Sequence, residues 1–196
     1  MPNASWCRTL FVNTADATAF NTSASEGTII AGLHGQPTLP ARFFHQDEGG
    51  KGKSIGYRLA GIIGTTGTPT IIYQVRISTT QGTSTLSGSS LAVSAAITTI
   101  NNSSNAMWVL EGEVTCYTPG QGSGNTTLTS WGEVRSPIGF ASTYIYPLEV
   151  TTPATATWTQ TADSALTYYM NFSVTWSASS ASNTITTKSI KVWEWN

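Results

Sequence analysis

Residues 167–177 read TYYMNFSVTWS. Tyr168, Met170, Phe172, Val174 and Trp176 fall at every second position, with Asn171, Ser173 and Thr175 between them. A two-residue period sends these sets to opposite faces of a strand, one apolar and one polar. Residues 69–79 (PTIIYQVRIST) repeat the pattern, with Ile71, Tyr73, Val75 and Ile77 on one face and Gln74, Arg76 and Ser78 on the other. Residues 107–118 (MWVLEGEVTCYT) place Trp108, Leu110, Val114 and Cys116 inward and Glu111, Glu113 and Thr115 outward. A sheet with one dry and one wet face is the signature of antiparallel pairing.

Outward from these three segments, further strands are expected at 8–13, 28–31, 54–64, 126–135, 143–150, 155–160 and 183–195. Strong breakers separate them, among them Gly-Thr-Pro at 67–69, Pro-Gly-Gln-Gly at 119–122 and Ser-Pro at 136–137. No segment carries a helical apolar stripe over three turns; residues 91–100 (LAVSAAITTI) come nearest and fit a strand or loop better. About ten short strands predict an all-β fold: an antiparallel two-sheet sandwich of jelly-roll type. Trp108, Leu110, Val114, Phe172, Val174 and Trp176 are expected to share its core.

Composition agrees. The 196 residues include 33 Thr and 23 Ser, while charged residues make up 10%. Hydroxyls carry the polar duty here, and Thr favours strands over exposed helix. The net charge of −1 and the lack of a basic run argue against nucleic acid as a partner. No apolar run approaches the roughly 18 residues of a membrane span. Neither is a signal peptide expected from MPNASWCRTLFVN. Twenty aromatic residues, seven of them Trp, are enough to build a packed core. The two cysteines, Cys7 and Cys116, are read as thiols.

The first 50 residues look different. Residues 32–53 (GLHGQPTLPARFFHQDEGGKGK) are dense in Gly, Pro and charge. Residues 1–50 are therefore expected to form an irregular arm or docking segment, and residues 51–196 the sandwich. Phe11, Ile29, Ile30, Leu39, Phe43 and Phe44 are too scattered for a core of their own. They must lie against the sandwich or a neighbouring chain.

Candidate chemistry is sparse. Asp47-Glu-Gly-Gly-Lys-Gly-Lys-Ser54 ends like a phosphate loop, but Asp47 stands where the first glycine belongs and a strand, not a helix, follows. His34 and His45 are the only histidines, too few for a metal site or a hydrolase triad without distant recruits. Glu111 and Glu113 share a strand face about 7 Å apart, which is also how a solvated face reads. Neither a cofactor nor an enzyme activity is expected. Trp131 is out of phase with Leu128, Gly132 and Val134, so it faces outward with Glu133 and Arg135. It reads as a subunit contact, with a sugar-stacking platform as the other possibility. Trp193 and Trp195 share a phase with Ile185 but not with Ile190 and Val192, so the last strand is expected to be apolar on both faces.

Several stretches carry a family resemblance. They are Thr38-Leu-Pro-Ala-Arg-Phe-Phe44, Ala60-Gly-Ile-Ile-Gly-Thr-Thr-Gly-Thr-Pro-Thr70, Asn105-Ala-Met-Trp-Val-Leu110, Gly120-Gln-Gly-Ser-Gly-Asn125 and Trp176-Ser-Ala-Ser-Ser-Ala-Ser-Asn-Thr-Ile185. Together they resemble a group of tailed-bacteriophage virion structural proteins, over most of residues 8–196. The resemblance implies a jelly-roll or β-sandwich subunit on the outer surface of the phage particle, with no catalytic residue to carry over. It implies a capsid decoration protein that binds the major capsid protein, stabilises the assembled head and forms a homotrimer. A tail-associated receptor- or glycan-binding module, with a host-surface glycan as partner, is the alternative. On the first reading residues 1–50 attach the chain to the particle. Phe11, Leu39, Phe43, Phe44 and Trp131 are then interface residues, and His45, Asp47, Glu48, Lys51 and Lys53 form the polar rim.

Overall fold

The strands arise where the alternation is cleanest. A computed structural model describes residues 7–45, 49, 53–82, 88–121, 125–142, 144–149, 158–161 and 166–195; Asp47, Glu48 and Lys51 lie outside them. Among the described residues there is no helix, and there are thirteen strands. In chain order these are β1 (Cys7–Asn13), β2 (Gly27–Thr28), β3 (Thr38–Leu39), β4 (Ser54–Gly64) and β5 (Thr70–Ser78). Then come β6 (Ser89–Ser94), β7 (Ile97–Thr98), β8 (Ala106–Thr118), β9 (Asn125–Arg135) and β10 (Ile145–Glu149). The last three are β11 (Trp158–Thr161), β12 (Tyr168–Trp176) and β13 (Thr184–Trp195).

The hydrogen-bonded order is β1-β13-β4-β8-β9-β10-β6-β5-β12-β2, with every strand pair antiparallel. This one sheet folds over on itself. Tyr57 of β4 meets Phe172 of β12 with ring centroids 5.4 Å apart, and Trp108 of β8 meets Tyr73 of β5 at 5.7 Å. In neither contact are the two strands sheet neighbours, since β4 pairs β8 and β12 pairs β5, so both contacts cross the core between two facing layers, as in a β-sandwich. The layers are joined through β10, which pairs β9 on one side and β6 on the other. All six residues expected to share the core are buried. The Trp108 indole Nε1 donates to the Ile62 carbonyl at 3.2 Å, which satisfies its polar end inside.

The opposite side is closed by the N-terminal segment, and here the expectation of an arm is corrected. The amide of Ala17 donates to Thr187 O of β13, and Phe20 bridges Ile185. Nine residues after Phe20, Ile29 N donates to Phe172 O of β12. The segment thus runs from one layer to the other. The Thr187 hydroxyl donates back to Ile29 O at 2.7 Å, and that of Thr28 to Asn171 Oδ1 at 2.7 Å. Ile29, Ile30, Leu33, Leu39, Phe43 and Phe44 are all buried in the sandwich core. They are spread among Gly and Pro because each caps a different part of the open edge, not because the segment is loose.

Glu26 ties this segment to the second layer. Its carboxylate accepts two bonds from the Arg76 guanidinium, at 2.8 and 2.7 Å, and one from the Ser173 hydroxyl. Burial alone would raise the carboxyl, but Arg76 and Ser173 outweigh it and hold Glu26 below its ordinary value of 4.5. A depressed carboxylate adds stability that is fully present above the unfolded value and is lost as pH falls through the folded one. Glu26→Gln is therefore expected to cost about 1–2 kcal/mol at neutral pH. Its urea midpoint should approach that of the unmodified chain as both are titrated below pH 4.5. A deficit that stays constant across that window would show that the pair contributes no charge-dependent stability.

Candidate functional site

The outer face of the layer β1-β13-β4-β8-β9 carries the side chains that the core does not use. Inward on β4 and β8 are Ile55, Tyr57, Leu59 and Trp108, Leu110, Val114; outward are Gly56 and Arg58, then Glu111, Glu113 and Thr115. Register then sets an outward row across four strands: Trp193 of β13 opposite Gly56 of β4, Gly56 opposite Glu113 of β8, Glu113 opposite Trp131 of β9. An indole stands at each end and a carboxylate between them.

Trp193 faces outward because of a bulge. The β13–β4 register shifts between Thr187 and Ser189, and one extra residue changes which side chains point inward. Ile185 and Thr187 before the shift, and Ile190, Val192 and Glu194 after it, are all buried. The last strand thus carries apolar side chains on both faces as expected, but the shift puts Ile185 with Ile190 and Val192 instead of with the indoles. Its aliphatic residues all go to the core, and Trp193 and Trp195 go to the outer face.

Each wall is held differently. A Cβ on Gly56 would lie 2.2 Å from the Trp193 ring, so the indole rests on a glycine that only lacks a side chain to let it. Trp195 packs edge-on against Trp193, centroids 6.2 Å apart at 78°. The Lys191 ammonium lies 5.7 Å from the Trp193 ring centroid, a cation–π contact. Trp131 is 60% exposed, with an apolar surface that nothing in the chain covers among the described residues. The walls enclose an open groove of about 250 Å³.

The charges between the walls are unequal. Glu111 pairs with Arg58 at 3.6 Å and with Arg135, and Arg135 pairs with Glu133 at 3.2 Å. Glu113 has no ion pair among the described residues. Its Oε1 accepts from the Thr115 hydroxyl at 3.1 Å, which in turn accepts from Ser54 at 2.8 Å. Glu113 thus lines the groove as a carboxylate steadied by a chain of hydroxyls beside it, with spare acceptor capacity. As a general acid–base pair Glu111 and Glu113 are poorly matched, since two arginines hold Glu111.

The other expected interface residues fall elsewhere. Leu39 pairs with β12 through Tyr168, and Phe43 and Phe44 stack edge-on at 4.7 Å inside. All three are buried within their own chain, so they are corrected from subunit contacts to core. Phe11 on β1 is half-buried and packs against the same core. Only Trp131 of the set presents a broad apolar surface. His45 is buried and bridges Gly120, His34 is exposed, and no His/Cys/Asp/Glu group could hold a metal among the described residues. Cys7 is exposed and Cys116 buried, both free. A second recess, beside Phe43, Phe44 and Tyr168, is apolar and holds only about 20 Å³, close to the room for one water. Sequence reasoning missed Trp193, Trp195 and Glu113 as members of one site with Trp131, because the row depends on cross-strand register that no local pattern encodes.

No protein-family model matches the chain. No curated protein matches it either. Among solved structures, one match is the CBM2 module of the evolved Dit of Lactobacillus casei BL23 phage J-1, with TM-score 0.36 and 11% identity over 97% of this chain and 96% of that one. Another is peanut lectin with a 9mer peptide, with TM-score 0.34 and 11% identity over 97% of each. Likenesses this distant carry no argument about what the chain binds.

Proposed function

We propose that the chain is a non-catalytic carbohydrate-binding module of a phage virion, the glycan-binding alternative that the family resemblance leaves beside capsid decoration. The observation that supports this reading is the groove between Trp131 and the Trp193–Trp195 pair, with the Glu113 carboxylate, oriented by the Thr115 hydroxyl, between them. A sugar ring has an apolar C–H face and a rim of hydroxyls. An indole takes the first by stacking and a carboxylate accepts from the second. The decoration reading asks for an N-terminal segment free to clamp a shell, whereas residues 7–45 are committed to their own sandwich. Outer-surface placement on the virion, and assembly as a homotrimer, belong to this proposal as expectations of the resemblance.

The test is binding to a panel of soluble polysaccharides, read by quenching of tryptophan fluorescence and by calorimetry. Trp131→Ala is expected to cost about 2 kcal/mol, the loss of a stacking anchor and roughly a thirtyfold drop in affinity. Because Trp131 is exposed, its thermal midpoint should change little. Equal binding by the variant would move the site away from this groove.

A further inference from the structure

Within the carbohydrate-binding reading, on which this inference rests, we infer that Glu113 is a specificity-determining residue: the groove takes glycans whose sugars are uncharged or amine-bearing, and rejects carboxylated, sulfated or phosphorylated ones.

Three carboxylates (Glu111, Glu113 and Glu133) and two arginines (Arg58 and Arg135) crowd the outer face beside the groove, and of these acids Glu113 alone has no ion pair among the described residues. Glu111 and Glu133 share Arg135, and Glu111 also has Arg58. Both guanidiniums are thereby spent on protein carboxylates and are poor partners for an anionic ligand. Glu113 sits one strand from each flanking position, between Gly56 and Trp131 in register. A sugar stacked against either wall brings its hydroxyl rim to this carboxylate. One oxygen already receives the Thr115 hydroxyl, which fixes the carboxylate's orientation and leaves the other free to accept. Hydrogen bonds to a charged acceptor are about twice as strong as neutral ones. The same charge repels an anion at that distance, in a groove whose apolar walls screen poorly. Lys191 does not reverse the sign, because it lies against the Trp193 ring at the far side of the row.

The aromatic axis also gives the ligand a direction. Moving along β9 from Trp131, the outward neighbours are Glu133 on one side and Thr129 on the other, with no second indole. Moving across the strands, the row ends at Trp193, about 14 Å away at three interstrand spacings. A glycan chain therefore lies across the strands, with Glu113 beneath its middle.

The experiment compares matched pairs: dextran against dextran sulfate, and cellulose oligomers against carboxymethyl cellulose, with chitosan oligomers as the amine-bearing probe. Binding is measured by calorimetry for the full chain and for Glu113→Gln and Glu113→Ala. The unmodified chain should bind at least one neutral or amine-bearing probe about tenfold or more tightly than any anionic one. Glu113→Gln, which keeps the shape and removes the charge, should narrow that ratio while weakening neutral binding. Its thermal midpoint should be unchanged. Tighter binding of the anionic member, or an unaltered ratio in Glu113→Gln, overturns the inference while leaving the glycan reading standing. Failure of every probe to bind overturns the glycan reading itself, and this inference with it.

Discussion

A chain cut to residues 53–196 is expected not to fold. The segment removed supplies Ile29, Ile30, Leu33, Leu39, Phe43 and Phe44 to the core, all buried. Burying each such side chain contributes about 1.5–3 kcal/mol, so the loss is on the order of 10 kcal/mol, comparable to the whole stability of a domain, about 5–15 kcal/mol. Backbone partners go as well. Phe172 O and Thr187 O lose their donors, and the Glu26–Arg76 pair disappears, leaving Arg76 half-covered without its carboxylate. The edge of β12 that pairs β2 and β3 would lie open, an invitation to aggregation. Near-ultraviolet dichroism and a thermal scan check this: the truncated chain should show no cooperative transition. A sharp transition would mean that the two layers hold together without their closing segment. Ile30→Asp, a single buried charge in the full chain, should fall in the same direction and guards against artefacts of truncation.

The strands of highest contrast were readable from the chain alone, because each needed only its own residues. Ile71, Tyr73, Val75 and Ile77 alternate with polar neighbours, and all four are buried. The stretch 54–64 matches β4 in both bounds. The role of residues 7–45 was not readable. Their contacts with β12 and β13 span more than a hundred positions, and short pieces such as Gly27–Thr28 have no period of their own. Composition suggested looseness where the physical need was a run of short, bent caps. Trp131 shows the same limit at the site. Its phase alone exposed it correctly, but a partner surface or a sugar would leave the same local trace. The proposed sugar reading rests on the row shared with Glu113, Gly56 and Trp193, and that row exists only once four strands are in register.

Glu194→Ala is expected to lower stability by about 3–5 kcal/mol, the usual result of stripping one member from a buried ion pair. Glu194 lies between Trp193 and Trp195 on β13 but points the other way, and is only 1% exposed. Its carboxylate meets Arg8 of β1 at 2.6 Å and the ammonium of Lys53, just before β4, at 3.5 Å. Arg8 is half exposed and can return to water, so its share is small. Lys53 cannot. It is buried, lies 4.7 Å from the Phe43 ring centroid, and has no other ion-pair partner among the described residues. Nearby, burial pushes the Cys116 thiol up to about 11 even though Lys53 pulls the other way, a measure of how dry this corner is. Removing the carboxylate therefore strands a cation in an apolar setting. For a chain of this length the thermal midpoint should drop by roughly 10 °C. Lys53→Met together with Glu194→Ala should recover most of the loss, since the stranded charge goes too. The double variant separates the two contributions: if it is no better than Glu194→Ala, the carboxylate acts through Arg8 and the tie between β1 and β13 instead. If the proposed glycan reading holds, affinity should follow the first variant downward, because Glu194 anchors from beneath, together with the β1 and β4 pairings, the strand end that carries both indoles.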